Sequence, residues 1–424
     1  MKLLIKSGHI VNSDDNMCNG VYDILVEDGI ITKIDKDIEE SECQVYDAAG
    51  RYVMPGFVDL HVHFREPGLT HKETVKTGAR AAANGGYTSV FCMPNTKPVI
   101  DSAAEYKKLL DIIERDAVVN VYPVGAVTKG QQGKELADIE EMASMGMKAI
   151  SEDGKSVMDS AIYRKAMKIA AKAGVPVFAH CEDINLVEGG VMNMGKRAKE
   201  LGFKGISNAV EDIIASRDIL LAKETGAKLH LCHCSTKDSV KMLKLAKEEG
   251  LPVTGEVCPH HFTLTDEDII ADDANYKMNP PLRSKEDVEA LKDGLRLGYV
   301  EVISTDHAPH SADEKAQSIS KAPFGIVGLE TAFALSYTEL VKSGLISLNK
   351  LVECMSTNPA KIAGLDRGVI EVGKVADIAI TDIDEKYMID SSSFESMGKN
   401  TPFNGFEVYG KVIDTIVNGK IVEL

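Results

Sequence analysis

A pair of histidines separated by one residue is the feature of this sequence with the clearest chemical potential. His61 and His63 follow an apolar run that begins at Val58, within the string DLHVHFREPG. Residues two apart on a strand point to the same face, so both imidazoles would face the same way and could share one metal ion. Taken alone, the pattern is more typical of two structural histidines. The choice therefore depends on what the rest of the chain supplies.

Further ligand-type residues follow later β-rich runs at matching places, namely Asp153, His180, His233 and Asp306. If those runs are parallel barrel strands, their carboxyl ends form one face and all six side chains converge there. Four imidazoles and two carboxylates suit Zn²⁺, and one carboxylate shared by two ions suits a two-metal centre. The pattern predicts one or two zinc ions per chain, with two favoured.

Arg65 is the first candidate for a substrate contact. It lies two residues beyond His63, so we expect it to share the strand face of the two histidines. Its planar guanidinium matches a carboxylate through two parallel hydrogen bonds, which a lysine cannot make. A solvated surface arginine is the alternative.

Eight short β-rich runs alternate with helical stretches and would position these residues. The runs are 58–61, 89–93, 119–124, 147–150, 176–179, 228–231, 252–255 and 300–304. Helix candidates between them include 73–83, 103–114, 160–173, 208–224 and 236–249. Repeated strand–helix units favour an α/β fold with a parallel sheet covered by helices, and eight units favour a closed (β/α)₈ TIM-type barrel.

The two ends of the chain have a different pattern. Residues 2–47 alternate apolar and polar side chains around an Asp28-Gly29 turn, and Asn418-Gly419 separates two β-rich triplets. Both are hairpin signals. They predict a small β-sandwich-like domain built from residues 1–54 and 366–424, beside a catalytic barrel of residues 55–365.

Composition excludes several classes of function. The chain has 48 basic and 65 acidic residues and a formal net charge of −17, which does not attract nucleic acid or an anionic membrane. The first residues reach Lys6 too early for a signal-peptide core, and no apolar run is long enough for a membrane span, which predicts a cytoplasmic protein. Cysteines such as Cys92 and Cys181 are expected as buried thiols, and the spacing of Cys232 and Cys234 is not that of a zinc knuckle.

Longer motifs make the comparison specific. The strings DLHVHFR (59–65) and STDHAPH (304–310), with Lys315 five residues further on, resemble the two signatures of the dihydroorotases of the amidohydrolase superfamily, most closely the bacterial type I form. The resemblance runs nearly end to end through GGYT (85–88), MPNT (93–96), NPPLR (279–283), PFG (323–325) and GKVAD (373–377).

The resemblance implies an assignment of the ligands. One zinc ion is held by His61, His63 and Asp306, the other by His180 and His233, and Asp153 bridges them. Many relatives use a carboxylated lysine as the bridge. Lys148 is the residue that would take that role here, and Glu152 is the adjacent competitor. The stretch around Asp153 resembles the type I pattern, in which an aspartate replaces the modified lysine.

The resemblance also implies a reaction, the zinc-dependent reversible hydrolysis of L-dihydroorotate to N-carbamoyl-L-aspartate, with ring closure as the direction of de novo pyrimidine (UMP) synthesis. Two ions would activate water and polarise the amide carbonyl. Asp306 would act as general acid and base besides its role as a ligand. The implied substrate contacts are Arg65, Asn95 and His310 for the carboxylate, Asn279 as a polar contact, and Pro323, Phe324 and Gly325 against the ring.

Other readings stay open at this point. The same barrel and metals serve dihydropyrimidinases, hydantoinases and allantoinases, although the dihydropyrimidinase substrate has no carboxylate for Arg65 to bind. A non-catalytic scaffold for aspartate carbamoyltransferase should have lost metal ligands, yet all six positions are filled. An active enzyme could still contact that partner. We also expect a homodimer, by base rate, and a lid formed by the polar insert 311–322.

Overall fold

The computed structural model describes residues 2–14 and 16–424. Met1 and Asp15, both inside the predicted terminal domain, lie outside the described residues. The chain begins with five strands: β1 (Lys2–Ile10), β2 (Gly20–Glu27), β3 (Ile30–Asp35), β4 (Gln44–Asp47) and β5 (Tyr52–Pro55). The predicted hairpin between β2 and β3 is confirmed. Asp28 and Gly29 at its turn both have positive φ, as a type I′ turn requires.

Strands and helices then alternate: β6 (Phe57–Val62), α1 (Val75–Asn84), β7 (Tyr87–Cys92), α2 (Ala103–Asp116), β8 (Asn120–Pro123), β9 (Gly125–Ala126), α3 (Ile139–Ser144), β10 (Ile150–Ser151), α4 (Ser160–Ala173), β11 (Val177–Ala179), β12 (Met192–Asn193), α5 (Lys196–Leu201), β13 (Gly205–Ile206), α6 (Ala209–Thr225), β14 (Leu229–Leu231), α7 (Lys237–Glu248), β15 (Val253–Val257), α8 (Pro259–Thr263), α9 (Lys285–Leu297), β16 (Val302–Ile303), α10 (Ala312–Lys315), α11 (Ala332–Ser336), α12 (Leu348–Val352) and α13 (Asn358–Ile362). The last strands are β17 (Ile378–Met388), β18 (Glu407–Val417) and β19 (Lys420–Ile421).

The central strands close into a parallel barrel. Strand β6 pairs with β7 and β7 with β8, while a second run of pairs links β9, β10, β11, β14, β15 and β16. Val124 separates β8 from β9, and its backbone N–H donates to the Cys92 carbonyl. A parallel bridge between Val62 and His307 joins the last strand to the first. Every one of the eight predicted β-rich runs overlaps a barrel strand, and the predicted (β/α)₈ fold is confirmed.

Helix α4 shows why the predicted helices form where they do. The side chain of Asp159 accepts hydrogen bonds from the backbone of Ala161 and Ile162 at its start, and Gly174, with φ of 75°, ends it in the left-handed conformation. Its buried residues Tyr163, Ala166, Met167 and Ala170 recur every three to four positions. That spacing gives the helix one apolar face toward the barrel.

The barrel interior is filled by side chains. Phe91 of β7 and Phe178 of β11 meet there with ring centroids 5.9 Å apart, although their strands are not paired. Val58, Val124 and Val302 belong to the same fully buried cluster. Because side chains fill the interior, an active site must lie at the carboxyl ends of the strands, as is usual for this fold.

Both ends of the chain enter one eight-stranded sheet in the order β19, β18, β17, β5, β1, β2, β3, with β4 also paired to β1. Strand β5 pairs in parallel with β1 and antiparallel with β17. The sheet has its own apolar cluster, which includes Ile5, Ile24, Val53, Ile378 and Ile416. The predicted β domain from both termini is therefore present, while its boundaries at residues 54 and 366 stay predictions.

Two further sequence expectations concern the environment of the chain. All eight cysteines are free, and Cys92, Cys181, Cys232 and Cys234 are buried as predicted. Among residues 2–14 and 16–424, the helices lack the combination of length and apolar character needed to cross a bilayer.

Candidate metal centre and substrate cavity

The six predicted ligands come together at the carboxyl end of the barrel. His61 Nε2 lies 3.1 Å from Asp153 Oδ1. His63 Nε2 lies 3.0 Å from Asp306 Oδ1. His180 Nδ1 lies 2.9 Å from His233 Nε2. These residues come from five different barrel strands and all are buried.

Asp153 is at the middle of this group. Its Oδ1 lies 3.5 Å from His180 Nδ1 and 3.8 Å from His233 Nε2, and its Oδ2 lies 3.4 Å from His63 Nε2. With the His61 contact, this one carboxylate reaches all four imidazoles. The neighbouring Glu152 points elsewhere, because its carboxylate accepts hydrogen bonds from the backbone of Val127 and Thr128.

The outer nitrogens of three of these histidines face polar partners. His63 Nδ1 lies 3.0 Å from Asn95 Oδ1, His180 Nε2 lies 3.3 Å from Glu182 Oε2, and His61 Nδ1 lies 3.3 Å from Glu256 Oε1. Oxygen acceptors in these places favour a proton on each outer nitrogen, which leaves the inner nitrogens with lone pairs. Those lone pairs then face carboxylate oxygens, which are also acceptors.

A cation resolves that arrangement. Within residues 2–14 and 16–424, neither His61 Nε2 nor Asp153 Oδ1 makes a hydrogen bond, although both atoms are buried. Nitrogen and carboxylate ligands with their outer atoms held by polar partners are typical of zinc sites. The side chains present thus fit a metal centre. The ligand atoms of His61, His63 and Asp306 lie within 4.8 Å of one another, as do those of His61, Asp153 and His233.

Three site residues have unusual backbone conformations. Arg65, His233 and Asp306 have φ of 61°, 35° and 48°, in the left-handed region that side chains other than glycine rarely adopt. Such conformations concentrate at functional sites. The backbone conformation of Arg65 shows that one sequence prediction is wrong. From the sequence we expect Arg65 to lie on the same strand face as the two histidines, but β6 ends at Val62, and Arg65 reaches the cavity from the turn that follows the strand.

Burial and charge have opposing effects on the ionisable groups here. Burial lowers the pKa of His180, but hydrogen bonds to Asp153 and Glu182 outweigh it and raise the pKa to about 10. Burial raises the pKa of Asp59, which precedes the first ligand pair, to about 7 despite its hydrogen bonds with Thr305 and the His61 backbone. Because a metal binds the unprotonated imidazole, metal binding here must release protons.

Glu256 is a site residue that the sequence analysis missed. It lies on β15, is fully buried, and accepts hydrogen bonds from Ser304 Oγ at 2.5 Å and from His230 at 3.0 Å besides facing His61. Burial would raise its pKa, but the hydrogen bonds to His230 and His61 hold the pKa below its usual value. The available signal was a glutamate directly after the β-rich run 252–255.

His260 and His261 form a second buried histidine pair close to the site. From the sequence we expect this pair, which follows Cys258-Pro259, to lie in a loop, but both residues are buried in the short helix α8. His261 Nε2 donates to the Pro280 carbonyl at 2.9 Å. Cys258-Pro259 is typical of a turn, so the sequence did not predict the one-turn helix that begins at the proline.

A small cavity of about 160 Å³ opens onto the ligands. Five of the predicted substrate contacts line it: Arg65, Asn95, Asn279, Phe324 and Gly325. Pockets for drug-sized ligands are usually about 300 to 1,000 Å³, so this cavity selects for a small compound. The amide of Asn95 also contacts the centre, because its Nδ2 donates to Asp153 Oδ2 at 3.1 Å.

His310 and Pro323 are set back from this cavity. His310 Nε2 lies 3.3 Å from the Arg65 guanidinium and 2.8 Å from the Phe324 carbonyl oxygen. On its other side, Lys72 Nζ lies 3.1 Å from Nδ1. A lysine ammonium only donates, so Nδ1 is the acceptor and Nε2 carries the proton that Phe324 accepts. Burial, Arg65 and Lys72 lower the pKa of His310 to about 2, which keeps the ring neutral.

Gly325 explains why the PFG string needs its glycine. Its φ is +131°, and a Cβ at this position would lie 2.7 Å from Ala308 Cβ and 3.1 Å from His310 Nε2. A side chain would therefore push apart the loops that hold Gly325, Ala308 and His310.

Comparisons with known proteins agree with this geometry. Residues 50–239 match the family model described as dihydro-orotase-like. The dihydroorotase of Acetivibrio thermocellus is 47% identical over 420 residues, which cover 99% of this chain and 98% of that protein. The dihydroorotase of Bacillus cytotoxicus is 46% identical over 422 residues, covering 100% and 98%.

The chain belongs to the dihydroorotase family. The enzyme is therefore a metal-dependent cyclic amide hydrolase that acts on a small-molecule substrate. Solved structures add the fold. The L-hydantoinase (dihydropyrimidinase) of Arthrobacter aurescens superposes with a TM-score of 0.89 at 28% identity, covering 99% of this chain and 95% of that one. The dihydropyrimidinase of Brevibacillus agri gives 0.86 at 25% identity, covering 100% and 95%.

Proposed function

We propose that this dihydroorotase family member catalyses the reversible hydrolysis of L-dihydroorotate to N-carbamoyl-L-aspartate, with ring closure as its direction in pyrimidine synthesis. The observation that carries the proposal is Arg65, which lines a small cavity together with residues of the predicted ligand cluster. A ring amide with one carboxylate matches that combination. The type I form is supported by Asp153, an aspartate at the place where many relatives have a modified lysine.

The metal centre is proposed as two zinc ions, one held by His61, His63 and Asp306 and one by His180 and His233, with Asp153 between them. Support comes from the contacts of Asp153 with all four imidazoles and from the second contact of Asp306 Oδ1, 3.6 Å from His61 Nε2. When bound, the ions supply Lewis acidity that polarises the amide carbonyl and activates water.

Asp306 is proposed as the group that moves the proton. Burial raises its pKa, but the hydrogen bond to His63 and the nearby imidazoles lower the pKa by more, so the carboxylate is ionised. An ionised carboxylate has lone pairs that can accept a proton during the reaction. As water adds to the ring carbonyl carbon, Asp306 takes its proton and passes it to the ring nitrogen when the C–N bond breaks. Ring closure runs the same transfer in reverse.

Substrate orientation is proposed to depend on the groups at the cavity wall. Arg65 binds the carboxylate, and His310 beside it can redirect its Nε2 proton from the Phe324 carbonyl to the same carboxylate. Asn95, which also lines the cavity, contributes a further polar contact. Asn279, which donates to Glu182 Oε1 at 3.0 Å, is held for a polar contact with the substrate, and the backbone of 323–325 packs against the ring.

Hydrolysis of dihydropyrimidines or hydantoins is the second candidate, because the solved structures above carry those names. Arg65 separates the two. The purified, metal-loaded enzyme should turn over L-dihydroorotate selectively, against dihydrouracil, hydantoin and allantoin as controls. Zinc should be measured on the same sample. Preference for dihydrouracil or hydantoin would overturn the dihydroorotase proposal while leaving the metal centre intact.

The proposed setting of the enzyme is a cytoplasmic homodimer that can contact aspartate carbamoyltransferase. Light scattering of the purified protein tests the dimer. Co-elution with purified aspartate carbamoyltransferase, with and without its substrates, tests the contact. A monomer, or separate elution under all these conditions, would contradict the respective proposal.

A further inference from the structure

Lys315 is a buried cation that belongs to the second signature motif and has no part in the reaction described above. It is the last residue of α10, five positions beyond His310, and only 8% of its surface is exposed. A lysine so deeply buried normally needs partners that satisfy its charge and its donors.

Three backbone carbonyls satisfy it. Lys315 Nζ donates to the carbonyl oxygens of Lys277 at 3.2 Å, Pro323 at 3.2 Å and Gly325 at 2.8 Å. An ammonium group has three N–H donors and no acceptor, so all of its hydrogen bonds are used. Lys315 therefore has no donor left for a substrate.

The three carbonyls belong to two segments that both reach the substrate cavity. Lys277 lies two residues before Asn279, and the segment 323–325 includes Phe324 and Gly325. Two further contacts connect the same two segments. Gly325 N donates to the Lys277 carbonyl at 3.0 Å, and Lys277 Nζ lies 4.4 Å from the centre of the Phe324 ring. Lys315 is the group that bonds both segments at once.

We propose that Lys315 is a positioning residue that fixes the Asn279 segment and the 323–325 segment at the separation the substrate ring requires. Through 323–325 it also sets the place of the Phe324 carbonyl, which orients His310 beside Arg65. The kinetic part of this inference rests on the proposed dihydroorotase reaction, whereas the structural part does not.

The test compares Lys315→Met with Lys315→Arg in the full-length, metal-loaded enzyme. Methionine keeps the length of the side chain and removes the hydrogen-bond donors, whereas arginine keeps the charge and the donors. Lys315 lines an adjoining cavity of about 290 Å³, which gives room for the larger guanidinium of arginine. We expect Lys315→Met to raise KM for L-dihydroorotate about ten-fold, an effect about the size of one charged hydrogen bond, with a much smaller change in kcat. Lys315→Arg should restore most of the KM. Lys321→Met, an exposed lysine on the same loop, is the matched control.

Hydrogen exchange provides a reading that does not depend on the substrate. The amides of residue 322 and of residues 324–327 should exchange faster in Lys315→Met than in the wild type, while strands β17 and β18 stay unchanged. If wild-type enzyme fails to turn over L-dihydroorotate, the proposed function falls, but the exchange comparison still decides the role of Lys315 in joining the segments.

Three results would overturn the inference: unchanged exchange in 322–327, faster exchange with unchanged KM, or a loss of kcat accompanied by loss of zinc. Should Lys315→Met fail to fold, Lys315→Arg together with Lys277→Met carries the test. Lys277→Met removes the contact with the Phe324 ring and the hydrogen bond from Lys277 Nζ to the Ala322 carbonyl at 2.6 Å, but leaves all three carbonyls for Lys315. It should therefore raise KM less than a variant that loses them.

Discussion

Replacement of Glu256 by glutamine gives a direct test of how the metal centre is held. The change preserves the size of the side chain and removes its negative charge. Glu256 Oε1 faces His61 Nδ1 at 3.3 Å, and Oε2 accepts from His230 and Ser304. A glutamine amide cannot serve all three neighbours as an acceptor, so one of them loses its partner.

The expected magnitude follows from the position of Glu256 behind one ligand. Loss of a carboxylate that orients a metal-binding histidine typically lowers metal affinity about 10- to 100-fold, which corresponds to roughly 1.4 to 2.8 kcal/mol. The effect should be largest for the ion held by His61, His63 and Asp306, because Glu256 faces the imidazole of His61 but contacts only the backbone N–H of His233, at 3.4 Å.

Zinc affinity can be measured by competition with a chromogenic chelator, with thermal unfolding of the metal-loaded and chelator-treated proteins alongside. Asp377→Asn is the matched control. Asp377 is a buried carboxylate paired with Arg367, and it also accepts hydrogen bonds from the Asn418 backbone and from Asn120. Asn120 begins β8, at the end of the barrel opposite the site. Its loss should lower stability without altering zinc affinity. Equal zinc affinities for Glu256→Gln and wild type would refute the idea that Glu256 orients His61.

Three further variants and one pH effect follow from the site. Arg65→Lys should keep the zinc content and raise KM for L-dihydroorotate by about ten-fold or more, since one point charge replaces a two-bond contact; an unchanged KM would remove Arg65 from substrate binding. Asp306→Asn should lower kcat by at least about 10² to 10⁴-fold even in samples whose zinc content is matched to wild type, and near-normal turnover would exclude the proton-transfer role. Gly325→Ala should raise KM and lower the melting temperature together, because its Cβ would fall 2.7 Å from that of Ala308; a fully active, equally stable variant would contradict the packing. Burial and a neighbouring lysine lower the pKa of Lys315 to about 7, so KM should be lowest below that pH and should rise above it as the ammonium loses a proton. Lys315→Arg should show no such rise. Identical pH profiles of KM for the two proteins would contradict a role for the positive charge of Lys315.

The sequence was sufficient to predict the barrel and the six side chains that lie together at its carboxyl end. Hydrophobic runs located all eight strands, and residues placed just after strand ends had to meet on one face. The local reasoning failed where the backbone leaves regular structure. Arg65 was assigned to a strand face, but its positive φ turns it into the cavity by another route. Arginine at position 65 does not signal a left-handed conformation, and histidine and aspartate, although enriched in that region, do not specify it at 233 and 306.

The supporting groups were harder to predict for a different reason. Lys72 and His310 are separated by 238 positions in the chain, and Glu256 meets His61 across the barrel. Such pairs depend on the relative height of strands and loops, which hydrophobic periodicity does not encode. The same applies to Asn400, which follows β17 yet accepts from the His310 backbone and donates to the Gly325 carbonyl.

The order of strands in the terminal sheet has a consequence for synthesis of the chain on the ribosome. Strand β5 is flanked by β1, made before it, and by β17, made only after the entire barrel. Throughout that interval the nascent chain presents an unpaired strand edge whose residues Val53 and Met54 are destined for full burial. An open apolar edge is a template for pairing with other chains. Newly made molecules of this enzyme should therefore depend on chaperones until the last strands emerge, and truncation before β17 should yield aggregates instead of an isolated active barrel.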